Sequence, residues 1–224
     1  MSTWKDLLKK GNLDLVLFDV SRQVDELYIK NTCYPLKRNI VRCFTETPLD
    51  QVKVVLIGQD PYINDYKGKP SACGLAFATE NGYMNPSLRF IFKELEASGY
   101  ANTDGSSYKP EQLVNWTKEG VLLLNRSLTV EKGKSNSHKD LWEKFTLPLV
   151  EILSIHNPNI IWLLLGNDAK QLTNNIQHGH IVTAPHPMAE GWSGGKIKFV
   201  GTNCFKHVNE LLIKMGKKPI KWNL

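Results

Sequence analysis

Four short apolar runs, at residues 52–57, 121–124, 160–165 and, more weakly, 180–184, constrain the fold of this chain more than any other feature. The first three are almost wholly Val, Ile and Leu and too short for helices, the pattern of strands buried on both faces. Between and after them lie segments with helical spacing, at 86–98, 139–155, 168–176 and 203–215. Strands alternating with helices predict an α/β fold, with a central, mostly parallel four-stranded sheet covered by helices on both faces. A chain of 224 residues, 42% apolar, has the material for such a core, and no repeat or low-complexity linker divides it. A single domain over residues 1–224 is expected.

The residues that follow each run are polar and chemically distinctive. The first run leads into Gly58-Gln59-Asp60-Pro61-Tyr62, the second into Asn125, the third into Gly166-Asn167 and the fourth into Pro185-His186-Pro187. Ligands of open α/β sheets bind outside the carboxyl ends of the strands, so Asp60, Asn125 and His186 are predicted to share one cleft. A carboxylate, an amide and an imidazole serve several reactions, and each also has a structural reading. Asp60 before a proline shapes a turn, Asn125 caps the following segment, and His186 between two prolines packs within its loop. The stretches 62–74 and 100–109 are long polar loops, which in a compact domain are more often functional than decorative.

Several chemistries find no support. Cys33, Cys43, Cys73 and Cys204 are widely spaced with no CxxC pair, and the six histidines form no HxxxH or HxE pattern, so neither a metal centre nor an iron–sulfur cluster is expected. No GxSxG nucleophile elbow occurs. The apolar run at 13–18 contains Asp14 and is too short for a signal-peptide core or a membrane span, which predicts a soluble protein of the cytoplasm or nucleus with no membrane partner. A formal charge of +6 favours a polyanionic partner, and the pairs Lys67 and Lys69, Lys132 and Lys134, and Lys196 and Lys198 lie in Gly-containing stretches suited to phosphates or to a solvated rim.

The motifs together resemble a known family. Gly58-Gln59-Asp60-Pro61-Tyr62 is similar to the water-activating motif of family 1 uracil-DNA glycosylases, and residues 120–125 followed by Leu128-Thr129-Val130 resemble that family's uracil-recognition strand. His186-Pro187 stands where the family's minor-groove loop carries its catalytic histidine. Tyr34-Pro35, Gly74-Leu75-Ala76-Phe77, Pro86-Ser87-Leu88, Ser137-His138 with Trp142-Glu143, and Lys218-Pro219-Ile220 with Trp222 follow in the same order. The resemblance implies a monomeric, cofactor-free enzyme that flips uracil out of DNA and hydrolyses its glycosidic bond. It implies Asp60 and His186 as catalytic residues and Gln59, Tyr62, Phe77 and Asn125 around the base. Pro86, Ser87, Gly166, Asn167 and Pro187 are then expected to grip the DNA backbone.

The chain departs from the family at three places. Ile63 replaces the histidine that follows the first motif, implying reduced turnover. The loop from Ile63 to Cys73 is about four residues longer than usual, which carries Lys67 and Lys69 toward extra DNA contact. After His186 the family's serine-proline and leucine wedge give way to Met188-Ala189-Glu190-Gly191-Trp192-Ser193-Gly194-Gly195, leaving Met188 or Trp192 to enter the duplex. Degenerate loops also suit a non-catalytic DNA-binding subunit, but such a protein needs no carboxylate near phosphates. A glycosylase for another base calls for a substituted acid or a cysteine cluster, and a small-molecule hydrolase for a nucleophile elbow.

Overall fold

A computed structural model describes residues 3–102 and 105–223. Four strands, β1 (Val54–Gly58), β2 (Val121–Asn125), β3 (Ile161–Leu165) and β4 (His180–Ala184), form one sheet in the order β2-β1-β3-β4. Every neighbouring pair is parallel. All residues of β1, β2 and β3 are buried, which requires cover on both faces of the sheet. Only β4, at the edge, alternates toward solvent. The strands begin or end within two residues of the apolar runs.

Eight α-helices are described: α1 (Trp4–Lys10), α2 (Leu13–Lys30), α3 (Arg42–Glu46), α4 (Pro86–Ala97), α5 (Lys139–His156), α6 (Asn167–Lys170), α7 (Ala189–Trp192) and α8 (Cys204–Lys214). In α4, Pro86 supplies a preset φ at the first helical turn, and Leu88, Ile91, Phe92 and Leu95 form the apolar stripe that buries it. In α8 the corresponding stripe is Phe205, Val208 and Leu212, seated on β3 and β4. Helices α1 and α2 pack on α5.

Three sequence expectations need correction. The helix expected over 168–176 ends its α-helical part at Lys170 and continues as a 3-10 turn, Gln171–Asn175, because Thr173, Asn174 and Asn175 favour the α-helix poorly. The stretch 62–74 is not all loop: Asp65–Tyr66 and Lys69–Pro70 pair as a small antiparallel hairpin. Helices α1 and α2, and a ten-residue 3-10 helix at Pro110–Glu119, were not expected.

The strand order places the site. Chain connections leave β1 toward β2 on one side and later toward β3 on the other, so the crevice at its carboxyl end is a topological switch point. Register pairs Gly58 with Asn125, and Leu165 with Ala184, so all four strands end along one edge.

Candidate active site

A cleft of about 410 Å³ opens at that edge. Gln59, Asp60 and Tyr62 from the β1 turn, Phe77, Asn125 at the end of β2, and His186 beyond β4 all line it. Pro86, Ser87, Met188 and Trp192 also reach it. A second hollow of about 500 Å³, lined in part by Gly166, Asn167 and Asp168, adjoins it across Gln59, His186 and Trp192. The residues expected at one site are therefore together, with Gly166 and Asn167 around its rim. Pro187 is the exception: it is buried and lines neither hollow, so it contributes only by shaping its loop.

Asp60 is held by one backbone and one side-chain donor. Its Oδ2 accepts from the Asn136 backbone N–H at 2.7 Å and the Ser135 hydroxyl at 2.8 Å, while the Gln59 side-chain amide donates to that hydroxyl at 3.0 Å. Neither of the two bonds to Asp60 uses Oδ1. Burial raises the Asp60 pKa above its ordinary value, against the lowering effect of the Asn136 and Ser135 hydrogen bonds.

His186 is neutral around pH 7. Burial pushes its pKa down to about 4, with Asp168 pulling the other way. The Met188 amide donates to Nδ1 at 3.1 Å, so that nitrogen carries a lone pair and the neutral ring holds its proton on Nε2. Behind it stands Gly166, at φ 93°, where a Cβ would meet the His186 Cβ at 2.8 Å. The Phe77 ring lies 5.9 Å from the imidazole, tilted by 47°.

Asn125 owes its placement to Gly58. A Cβ on Gly58 would lie 2.3 Å from Asn125 Oδ1, so only glycine lets the amide lie across β1. That oxygen is buried and takes no hydrogen bond among the described residues, leaving an acceptor free within the protein. Tyr62 donates its hydroxyl proton to the Phe77 carbonyl at 2.9 Å, and its oxygen lies 2.8 Å from Ser87 Oγ. Since Tyr62 has one proton, Ser87 is the donor in the second bond. The Ser87 hydroxyl is thus already engaged within the protein. Phe77 itself has φ 61°, a strained conformation for a bulky residue, as found at functional sites.

Several participants escaped sequence reasoning. Ser135 and Asn136 lie in the Gly-containing Lys132 and Lys134 stretch, whose charge alone had drawn notice. Arg126, beside Asn125, donates to the Asp168 carbonyl at 3.0 Å and Gln171 Oε1 at 2.6 Å and pairs with Glu143 at 2.5 Å, tying β2 to α5 and α6. Trp142 donates to Thr129 Oγ1 at 2.6 Å, which bonds His138 at 2.9 Å, so those motif residues brace the fold. Among the described residues, no group of three His, Cys, Asp or Glu side chains is arranged to hold a metal ion, and no helix is long and apolar enough to cross a membrane.

Residues 44–212 match the uracil DNA glycosylase superfamily. The chain belongs to that superfamily. It is 34% identical over 227 residues to a uracil-DNA glycosylase of Streptococcus mutans serotype c, covering 99% of this chain and 98% of the relative. A uracil-DNA glycosylase of Dichelobacter nodosus is 41% identical over 195 residues, 85% of this chain and 80% of the relative. The crystal structure of mimivirus uracil-DNA glycosylase superposes with a TM-score of 0.80 at 24% identity, covering 100% of this chain and 94% of that one, a likeness of fold.

Proposed function

We infer that this chain, acting as a single monomeric domain, is a monofunctional uracil-DNA glycosylase that serves base excision repair, hydrolysing the N-glycosidic bond of a flipped-out deoxyuridine and leaving an abasic site. Extruding the nucleotide costs roughly a few kcal/mol of stacking and pairing. Phe77 stacks on the base and recovers part of that cost. Asn125 accepts from uracil N3–H through Oδ1 and donates to O4 through Nδ2, a pattern opposite to that of cytosine. Tyr62 fills the space beside C5 and excludes the thymine methyl group.

Bond cleavage develops positive charge on the sugar and negative charge on uracil O2. Ionised Asp60 stabilises the first and orients the attacking water through Oδ1. Neutral His186 donates from Nε2 to O2. Gln59, through Ser135, keeps Asp60 in place. The rim formed by Pro86, Ser87, Gly166, Asn167 and the loop at Pro187 holds phosphates, and Trp192 or Met188 enters the duplex in place of the flipped base.

The observation that carries this reading is the convergence of Asp60, Asn125 and a neutral His186 on one cleft, with His186 Nδ1 already accepting a hydrogen bond. A labelled oligonucleotide with one uracil, treated with enzyme and then alkali, tests it. Scission at the uracil, persisting in excess chelator, is expected; scission only at thymine, or none, contradicts it.

A further inference from the structure

The hairpin between Tyr62 and Gly74 has no part in the chemistry above. Its two strands, Asp65–Tyr66 and Lys69–Pro70, are joined by Lys67 and Gly68, both at positive φ (50° and 74°), as a type I′ turn requires. Asn or Asp fits the first of those positions with little strain, and lysine does not. The turn thus places an ammonium at its tip in spite of the local backbone cost.

The Tyr66 ring stacks on Tyr83, with centroids 5.1 Å apart and planes within 27°, and Lys67 Nζ lies 5.1 Å over Tyr66. Both tyrosines are half-buried, whereas Lys67 and Lys69 are exposed and unpaired with any acid among the described residues. Tyr83 and Asn64 line the uracil cleft, so this ledge continues its wall. Its root is fixed. Asp65 Oδ2 accepts from the Tyr34 hydroxyl at 2.8 Å and from the Lys132 ammonium, while the Asn81 amide donates to the Lys69 carbonyl at 3.1 Å. Lys132 also neutralises the one acid of the hairpin.

We propose that the hairpin is a second DNA site, a platform on which Tyr66 and Tyr83 stack an unpaired nucleotide flanking the uracil while Lys67 and Lys69 hold its phosphates. The inference rests on reading the cleft as a uracil site. Aromatic faces beside exposed cations are what a single strand recognises, since each base has a π face and each linkage a charge. Within a duplex the neighbouring bases stack on one another and leave no face for the ledge.

The full-length protein and its Tyr66→Leu, Tyr66→Phe and Lys67→Gly variants test this. Leucine keeps an apolar contact with Tyr83 without a π face, phenylalanine restores the face, and glycine suits the positive φ while removing the amine. Fluorescence anisotropy with labelled oligothymidylate reads single-strand binding without uracil, and because Tyr66 and Lys67 do not line the cleft, a change in either variant reports the hairpin. Tyr66→Leu is expected to weaken binding about five- to tenfold, with recovery in Tyr66→Phe. Lys67→Gly is expected to weaken binding and reduce its salt dependence. On single strands with uracil near the 5′ or the 3′ end, KM should rise for one series and not the other. Wild-type affinity in both Tyr66→Leu and Lys67→Gly, or equal KM changes in the two series, would overturn the second site. Failure of the wild type to release uracil would instead overturn the reading of the cleft, and the oligothymidylate arm would still decide the hairpin.

Discussion

The Trp192 indole lies parallel to the His186 imidazole, with centroids 5.0 Å apart and planes within 7°, yet 71% of Trp192 is exposed. One face of the indole covers the histidine, and the rest stands at the rim of the cleft. The position suits an apolar wedge, and the exposure means that little folding energy depends on it.

Trp192→Ala is accordingly expected to slow cleavage of uracil in duplex DNA about tenfold more than in single strands, since stacking in the vacated gap is worth roughly 1–3 kcal/mol. The melting temperature should hardly move. Single-turnover rates on matched substrates check this; equal slowing on both confines Trp192 to covering His186 and makes Met188 the wedge.

The pH profile follows from the two groups proposed as catalytic. In the proposed mechanism Asp60 acts ionised, and burial holds it above its ordinary pKa, so activity should fall as pH drops through that raised value. In the same mechanism His186 acts neutral, and with its pKa down at about 4 it should add no step near pH 6.5. A plot of kcat/KM against pH should show one acid limb above the usual aspartate range. Nitrogen chemical shifts should show His186 neutral, with its proton on Nε2, throughout pH 5–8. An imidazole that titrates near pH 6.5 together with activity would contradict this assignment.

Base selection is proposed to rest on two side chains. Tyr62→Ala should open the space beside C5 and permit slow thymine release, and Asn125→Asp should permit some cytosine release, both with weakened uracil activity. Release assays on oligonucleotides bearing each base decide the matter; a Tyr62→Ala enzyme that cleaves uracil but never thymine places the C5 guard elsewhere.

Gly58→Ala tests the packing behind Asn125. A methyl group 2.3 Å from Oδ1 has no room, so the amide must leave its place, at a stability cost of about 1–3 kcal/mol for overpacking. Uracil excision should fall at least as far as in Asn125→Ala, with Tm lowered. Normal excision in Gly58→Ala would mean that Asn125 need not lie across β1.

The strands were legible because burial on both faces removes polar residues from them, and β1, β2 and β3 are wholly buried. The cleft was legible because a parallel sheet gathers its strand ends, bringing Asp60, Asn125 and His186 together. Helix α2 was not. Leu15, Phe18 and Ile29 are 69%, 65% and 80% exposed and blur the stripe formed by Leu13, Val20 and Val24. Nor could spacing reveal that Ser135 and Asn136 hold Asp60, since that contact spans about 75 residues and depends on how two loops meet.

The most direct measurement is single-turnover cleavage of a uracil oligonucleotide by Asp60→Asn beside its affinity for the same DNA. Electrostatic stabilisation acts chiefly in the transition state, so the rate should fall about a thousandfold while affinity stays near that of the wild type. An unchanged rate would remove Asp60 from the mechanism, and an equal loss of rate and affinity would make it a binding residue.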